Sequence, residues 1–182
     1  MASIQINYRG SSGFGARFVG LDRHQWGSGI PRDVNEGLQH VLKSFPIDAS
    51  RIAAMGSSFG GFVALHLAGT GTPLRCVVVD SSSTDIVKFA DRLYTEYKEN
   101  SDILQRVGDT RIETDKQAMI AMSPSAMIDK LKEIPVLHLH GGRDTVTHRE
   151  DNQQFITDML AATRAIPSSA FRMVATDCSR IA

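Results

Sequence analysis

The feature that most constrains this chain is a glycine-rich hexapeptide at 56–61, Gly-Ser-Ser-Phe-Gly-Gly, which stands between an apolar run and a helical stretch. The run at 51–55 has the length of a buried strand, and residues 58–68 are predicted as a helix that Gly69 ends. The order of strand, Gly-x-Ser-x-Gly and helix is typical of a nucleophile elbow. The pattern predicts that Ser58 is an exposed nucleophile.

The residue types of this turn have a chemical reason. A serine on so sharp a turn has a strained backbone, and we expect Gly56 and Gly60 to remove Cβ atoms that would clash with the neighbouring strand and helix. Ser58 then lies at the helix N-terminus. There the backbone N–H of Phe59 and the positive end of the helix can stabilise an oxyanion.

Two other interpretations of the hexapeptide are open. It could be a turn that only joins a strand to a helix. It could also be the glycine-rich turn of a dinucleotide-binding unit, because Asp80 ends the next strand about 20 residues later, where a ribose-binding acid is found. The glycine spacing departs from G-x-G-x-x-G, however, and the chain has no Gly-Lys-Ser/Thr sequence for a phosphate loop.

The rest of the chain alternates short apolar runs with amphipathic stretches, which is typical of the α/β class. It predicts a mostly parallel sheet with helices on both faces. One domain covers 1–182, with a helical excursion at about 81–133. The predicted strands are 2–7, 51–55, 74–79, 135–140 and 170–175. The predicted helices are one capped by Asp33 and ended by Pro46, and those at 58–68, 85–99, 113–122 and 150–163.

Composition excludes several classes of function. The chain has 182 residues, 20 Lys+Arg against 20 Asp+Glu, and two cysteines. A net charge of zero does not favour nucleic acid or an anionic membrane, because both attract a basic excess. Two cysteines cannot build a disulfide framework or a cysteine-based zinc site. Without a signal peptide at Met1–Arg9 or a run of about 20 apolar residues, we expect a soluble, cytoplasmic protein.

A serine nucleophile needs a base, and the base needs a carboxylate that orients it. Asp144 follows the predicted strand 135–140 after the turn Gly141-Gly142, so its side chain should emerge at the same edge of the sheet as Ser58. In α/β hydrolases the acid follows the serine in the chain and precedes the histidine. Alternatively, Asp144 caps the next helix.

The six histidines do not offer an evident base. His138 and His140 share one face of a strand, which indicates a buried pair, or with Asp144 a metal site. His66 lies two turns into the helix after Ser58 and points away from the sheet edge. The remaining three, predicted to be solvated, are His24, His40 and His148.

Many dispersed motifs, from residue 4 to about residue 177, resemble the catalytic domain of the prolyl oligopeptidase family of serine peptidases. They are Asn7-Tyr8-Arg9-Gly10-Ser11-Ser12-Gly13-Phe14-Gly15, Trp26-Gly27, Asp33-Val34, Ile47-Asp48, Arg51-Ile52-Ala53, Gly56 to Gly61, Arg106-Val107-Gly108-Asp109, Ser123-Pro124 and His140-Gly141-Gly142-Arg143-Asp144.

The resemblance implies an α/β-hydrolase fold, cleavage of peptide or acyl bonds through an acyl-enzyme, and no cofactor or metal. By position, Ser58 matches the nucleophile and Asp144 the acid. The substrate would be a peptide or a small acyl compound. Peptides and esters are not separated, since leaving-group preference would be set in 81–133 and outside this chain. The oligomeric state stays open.

The sequence also departs from the family. The family's histidine lies in a loop after the last strand, where this chain has Arg180, and arginine cannot accept the serine proton. The family also has a strand, which carries an oxyanion-hole contributor, between those that match 4–8 and 51–55. We therefore expect a catalytic domain that is incomplete at both ends. A non-catalytic, truncated hydrolase is the alternative.

Overall fold

The computed structural model of the protein describes residues 2–97, 102–163 and 171–176. The strands are β1 (Ala53–Ser57), β2 (Cys76–Asp80), β3 (Val136–Gly141) and β4 (Phe171–Thr176). The α-helices are α1 (Ala16–Val19), α2 (Gly29–Ser44), α3 (Phe59–Gly69), α4 (Ile86–Tyr97), α5 (Asp102–Val107), α6 (Glu113–Met122), α7 (Ile128–Leu131) and α8 (Arg149–Thr163). The 3-10 helices are Gly20–Asp22 and Pro124–Met127.

The strands form one sheet in the order β1-β2-β3-β4, and every neighbouring pair is parallel. Ser57 is in register with Asp80, and Asp80 is in register with Leu139. Because all strands run in the same direction, the segments that follow β1, β2 and β3 meet at one edge of the sheet. This edge, formed by the strands' carboxyl ends, is the usual place for a ligand site in open α/β sheets.

The core of the sheet lies against α3 and α8. Val77, Val79 and Val136 are buried and pack with Leu65 of α3 and Phe155 of α8. The near-continuous apolar sequence of β2, Cys-Val-Val-Val-Asp, is expected of a strand in a parallel sheet covered by helices. This packing holds the strands in place, so that the carboxyl ends of β1, β2 and β3 lie at the same edge of the sheet.

A second apolar cluster supports the segment after β1. Trp26 and Phe62 are buried in it together with Ile86 of α4 and Met119 of α6. A fully buried side chain of this size contributes roughly 1.5–3 kcal/mol to stability. The predicted excursion at 81–133 is thus packed against α3 rather than being separate from the sheet.

Strand β1 is the most exposed strand whose side chains the structure describes. Met55, at its centre, is 83% exposed, whereas Val79 in β2 is fully buried. In the described part of the chain, β1 pairs with β2 alone. One edge and one face of β1 are therefore open.

The predicted strand at 2–7 is wrong: these residues have no strand assignment. The side chain of Ile6 instead packs against helix α2, close to Gly37. Arg9 binds Asp33 through its guanidinium, at 2.7 and 2.6 Å, and through its backbone N–H at 3.0 Å. Alternation of apolar and polar residues predicts a strand only if a neighbour supplies the ladder, and β1 does not pair with this segment.

The predicted cap at Asp33 is also wrong. The helix begins four residues earlier, at Gly29, and Asp33 lies within it as the partner of Arg9. Pro31 is compatible with this start, because the first-turn N–H groups of a helix have no acceptor in the helix. The predicted end before Pro46 is confirmed, since the helix ends at Ser44.

The other predicted elements are confirmed, with small changes at their ends. The strands predicted at 51–55 and 74–79 begin two residues later than expected, and 113–122 is helical as predicted. Helices α1, α5 and α7 were not predicted. Residues 98, 99 and 170, at the ends of two predicted elements, lie outside the described residues.

None of the helices described above combines the length and the apolar character needed to cross a membrane.

Candidate active site

Ser58 lies alone between β1 and α3, in a backbone conformation that serine rarely adopts. Its φ is 52° and its ψ is −122°. Positive φ is uncommon for residues other than glycine, and such strain concentrates at functional sites because the surrounding structure must hold it. The side chain is exposed at the carboxyl edge of the sheet.

Three backbone hydrogen bonds hold this conformation. The N–H of Ser58 donates to the carbonyl of Asp80 at 2.8 Å, and the carbonyl of Ser58 accepts from the N–H groups of Gly61 and Phe62 at 3.1 and 3.2 Å. The first bond joins the turn to β2, and the other two begin helix α3. The strand and the helix together therefore fix the position of Ser58.

Two glycines permit the close approach of strand and helix. A Cβ atom on Gly56 would lie 2.2 Å from the carbonyl carbon of Gly60, and one on Gly61 would lie 2.8 Å from Cβ of Ser82. A Cβ atom on Gly60 would meet nothing within 4 Å. The prediction for Gly56 is thus confirmed, but that for Gly60 is wrong, because its Cβ position points to solvent and Gly61 is the second close contact.

Phe59 is the first residue of α3, so its N–H has no acceptor within the helix. It lies directly after Ser58, where an oxyanion would form. The ring of Phe59 is held between Trp26, 4.5 Å away between ring centroids, and Phe62, at 5.6 Å. This aromatic packing fixes the peptide whose N–H is the predicted oxyanion donor.

Asp144 lies in the turn that follows β3, at the same edge of the sheet. Its Oδ1 accepts hydrogen bonds from the N–H groups of Val146 and Thr147, both at 2.9 Å, and its own N–H donates to the carbonyl of Gly141 at 3.2 Å. Helix α8 begins later, at Arg149. The carboxylate therefore organises its own turn rather than capping the helix, as the alternative interpretation would require.

The pKa of Asp144 lies below the ordinary aspartate value. Partial burial would raise this pKa, but hydrogen bonds from the backbone N–H groups of Val146 and Thr147 and from the hydroxyl of Ser81 outweigh it. Donors that point at a carboxylate stabilise its charged form. The charged form of the Asp144 carboxyl group is thus stabilised, and a charged carboxylate is the form that can orient a histidine.

The end of β2 lies between Ser58 and Asp144. Asp80 accepts hydrogen bonds from the hydroxyls of Ser57 at 3.3 Å and Ser81 at 3.4 Å. Ser81 has a φ of 46°, and its N–H donates to the carbonyl of Leu139 in β3. Sequence reasoning considered Asp80 only as a ribose-binding acid and missed Ser81. The signal for Ser81 was its position, directly after a strand at the carboxyl edge.

The histidines of β3 form the buried pair that the sequence predicted. His138 and His140 are fully buried, with ring centroids 5.8 Å apart, and Nε2 of His140 lies 2.7 Å from the carbonyl oxygen of Thr147. Burial and the neighbouring His140 lower the pKa of His138 to about 4.

The other histidines differ in their exposure, and one of them departs from the predicted exposure. His66 is buried, and its Nε2 contacts the carbonyl of Met122 at 2.7 Å. His24 and His40 are exposed as predicted, whereas His148 is half-buried, with Nε2 3.1 Å from the carbonyl of Thr145. Arg180, in the predicted position of the base, lies outside the described residues.

The described residues contain no group of three or more His, Cys, Asp or Glu side chains that could hold a metal ion. What they do bring to one edge is a strained serine, a helix N-terminus and an anionic carboxylate. A serine hydroxyl, an N–H at a helix N-terminus and a carboxylate are the kinds of group that acyl transfer uses besides a base.

Comparison with known proteins agrees with this arrangement. Residues 1–174 match the model of the prolyl oligopeptidase family. Dipeptidyl aminopeptidase BIII of Pseudoxanthomonas mexicana is 26% identical over 164 residues, which are 88% of this chain and 23% of that protein. The acylamino-acid-releasing enzyme of Mus musculus is 41% identical over 68 residues, 37% of this chain and 9% of that enzyme. The chain thus spans less than a quarter of the length of these curated relatives.

Solved structures show the same fold. An uncomplexed acylaminoacyl peptidase of Pyrococcus horikoshii has a TM-score of 0.80 at 16% identity, over 94% of this chain and 27% of that one. A puromycin-hydrolyzing peptidase of Mycobacterium tuberculosis has a TM-score of 0.77 at 24% identity, over 93% and 24%. These likenesses confirm the predicted α/β-hydrolase fold. With the family match over almost its whole length, the chain belongs to the prolyl oligopeptidase family.

Proposed function

We propose that the protein is a serine peptidase that cleaves peptide bonds through an acyl-enzyme on Ser58. The observation that carries the proposal is the strained conformation of Ser58, held by three backbone hydrogen bonds at the N-terminus of α3. A turn that only joined a strand to a helix would not need a serine at positive φ. The strain presents the hydroxyl at the edge of the sheet.

In the proposed reaction, Oγ of Ser58 bonds to the substrate carbonyl carbon while its proton passes to a base. The carbonyl oxygen becomes an oxyanion, which the N–H of Phe59 and the positive end of α3 stabilise. The C–N bond then breaks, the amine leaves with the proton, and water releases the acyl group from Ser58. Asp144 would orient the base and stabilise its charged form.

The base is the part that this sequence does not supply at the expected place. The resemblance assigns that position to Arg180, and an arginine remains protonated at any accessible pH. We therefore propose the peptidase activity for the whole protein and expect the chain by itself to be slow. A non-catalytic role of the chain is the competing proposal.

A second candidate is release of an acylated amino acid, on the same residues. The observation behind it is a local match of 41% identity over 68 residues with the acylamino-acid-releasing enzyme of Mus musculus, whereas the match with the dipeptidyl aminopeptidase is 26% over 164 residues. Both candidates use Ser58, and an esterase would do so as well. The peptidase and the acylated-amino-acid candidate differ in the amino end of the substrate, which is free for the peptidase and acylated for the second candidate.

The test is covalent labelling of the purified whole protein by a fluorophosphonate, with the adduct mapped by mass spectrometry, because the chain by itself is expected to be slow. We expect an adduct on Ser58 that is absent in Ser58→Ala and retained in Ser57→Ala, a matched control at the preceding residue. A folded whole protein that forms no adduct would support the non-catalytic proposal. An N-acetyl and a free-amino dipeptide anilide, compared on the whole protein, would separate the two candidates.

A further inference from the structure

The buried end of β3 contains a histidine that the proposed reaction does not use. His140 is fully buried, and its Nε2 lies 2.7 Å from the carbonyl oxygen of Thr147. A carbonyl oxygen only accepts hydrogen bonds, so Nε2 must carry the proton. His140 is thus the donor, in its Nε2–H tautomer.

Thr147 links this histidine to the candidate acid. It is itself buried, and its backbone N–H donates to Oδ1 of Asp144 at 2.9 Å. The same residue therefore accepts from His140 through its carbonyl and donates to Asp144 through its N–H. With both groups bonded, the orientation of the Thr147 backbone is fixed, and with it one of the two backbone donors to Oδ1.

The bond to Thr147 is not explained by packing alone. Nδ1 of His140 is buried and has no hydrogen-bond partner among the described residues. Burying a polar atom without a partner is unfavourable by about 1–3 kcal/mol, so an apolar side chain of similar size would suit a site that served only the core. The donor at Nε2 is what such a side chain would lack.

We propose that His140 is a positioning residue, which holds the turn at 144–147 so that the carboxylate of Asp144 keeps its orientation. This inference rests on the proposed function of Asp144 as the orienting acid. His140 acts through Thr147 and does not touch the reacting atoms. By way of Thr147, His140 would orient Asp144 in the same way that Asp144 would orient a base, through a hydrogen bond that fixes the direction of the side chain.

Two variants separate the hydrogen bond from the packing. His140→Leu keeps an apolar body but removes the donor. His140→Gln places an amide N–H near the position of Nε2, and because both variants lack the imidazole, any electrostatic effect of the ring on Asp144 is removed in both. The matched control is His138→Leu, since His138 is equally buried on the same strand face but lies two residues further from the turn, beside the ring of Phe155.

The first readout is the pKa of Asp144, from a carbon-13 NMR titration of its carboxyl group in the full chain. We expect His140→Leu to raise this pKa toward the ordinary aspartate value, His140→Gln to stay close to the wild type, and His138→Leu to leave it unchanged. An unchanged pKa in His140→Leu overturns the proposal. So does an equal rise in His140→Gln or in His138→Leu.

The second readout needs no variant and tests the hydrogen bond on which the proposal depends even if His140→Leu does not fold. Nitrogen-15 NMR of the wild-type imidazole should show the Nε2–H tautomer of His140. The Nδ1–H tautomer would contradict the hydrogen bond and overturn the proposal.

Labelling of Ser58 by the fluorophosphonate distinguishes a failure of this inference from a failure of the proposed function. If the wild type is labelled, we expect His140→Leu to reduce the labelling rate by about tenfold or more, and His140→Gln to recover most of it. If the wild type is folded but not labelled, the proposed function fails. The pKa comparison and the tautomer still decide whether His140 positions Asp144.

Discussion

The N–H of Ser58 donates a 2.8 Å hydrogen bond to the carbonyl of Asp80, which continues the pairing of β1 with β2 one residue beyond the strand. Ser57 is in register with Asp80, so the sheet rather than the helix alone determines where the turn begins. The strained φ of Ser58 is therefore imposed from both sides. It depends on the glycines that let strand and helix meet.

Gly56→Ala should destabilise the protein strongly, whereas Gly60→Ala should not. A Cβ atom on Gly56 would lie 2.2 Å from the backbone of Gly60, and backbone atoms cannot yield without breaking the turn. We expect a loss of about 3 kcal/mol or more in the free energy of unfolding. Gly60 is exposed at the start of α3, where alanine favours the helix by up to about 1 kcal/mol. Urea unfolding measures both, and equal losses in the two variants would contradict the assignment of the close contact.

Val79→Ala should lower the free energy of unfolding far more than Met55→Ala. Val79 is fully buried against α3, while Met55 on the neighbouring strand is 83% exposed. Removing two buried methyl groups should lower the free energy of unfolding by about 2 kcal/mol. Met55→Ala should change it by about 0.5 kcal/mol at most. A large loss in Met55→Ala, measured by thermal or urea unfolding, would show that β1 is covered in solution.

The elements that the sequence predicted well are those whose signals are local. Residues 56–61 combine a strand end, turn glycines and a helix start, and Asp144 follows a buried strand after two glycines. In a parallel sheet these local patterns are sufficient to bring both residues to one edge. Their roles in catalysis stay predictions.

The features that the sequence did not predict depend on partners far away in the chain. Residues 2–7 alternate like a strand but do not form one, because pairing needs a neighbour that β1 does not provide. Asp33 has the residue type of a helix cap, yet it binds Arg9, 24 residues earlier. The contact of Ser81 with Asp144 likewise appears only when the ends of β2 and β3 are placed together, whereas the contact of His140 with Thr147 depends on the shape of one turn.

The strain at Ser81 can be measured by two variants that both remove its hydroxyl. Its φ of 46° lies in the left-handed region, where a residue with a Cβ atom is disfavoured by about 1–2 kcal/mol relative to glycine. Glycine also gains about 0.4–1 kcal/mol of entropy in the unfolded chain, which offsets part of this difference. We expect Ser81→Gly to be more stable than Ser81→Ala by about 0.5–1 kcal/mol in urea unfolding. If Ser81→Ala were the more stable, the left-handed conformation would be absent in solution.

His138 should make the protein less stable in mildly acidic solution. Burial is the largest cause that lowers its pKa to about 4, the nearby His140 lowers it further, and Asp80 opposes this effect. A histidine in the unfolded chain has a pKa of about 6.5. Below that value the unfolded state binds a proton that the folded state refuses, so stability is complete above pH 6.5 and falls as the pH drops toward 4.

The size of this effect follows from the difference between the two pKa values. A shift of about 2.5 units corresponds to about 3 kcal/mol of unfolding free energy lost across that window. His138→Leu should remove this share of the pH dependence, measured by urea unfolding at several pH values between 7 and 4. A smaller slope should remain, because burial also lowers the pKa of His66. If the unfolding free energy of His138→Leu depended on pH as strongly as that of the wild type, the prediction would be contradicted. His138 would then be protonated in the folded protein, in spite of its complete burial.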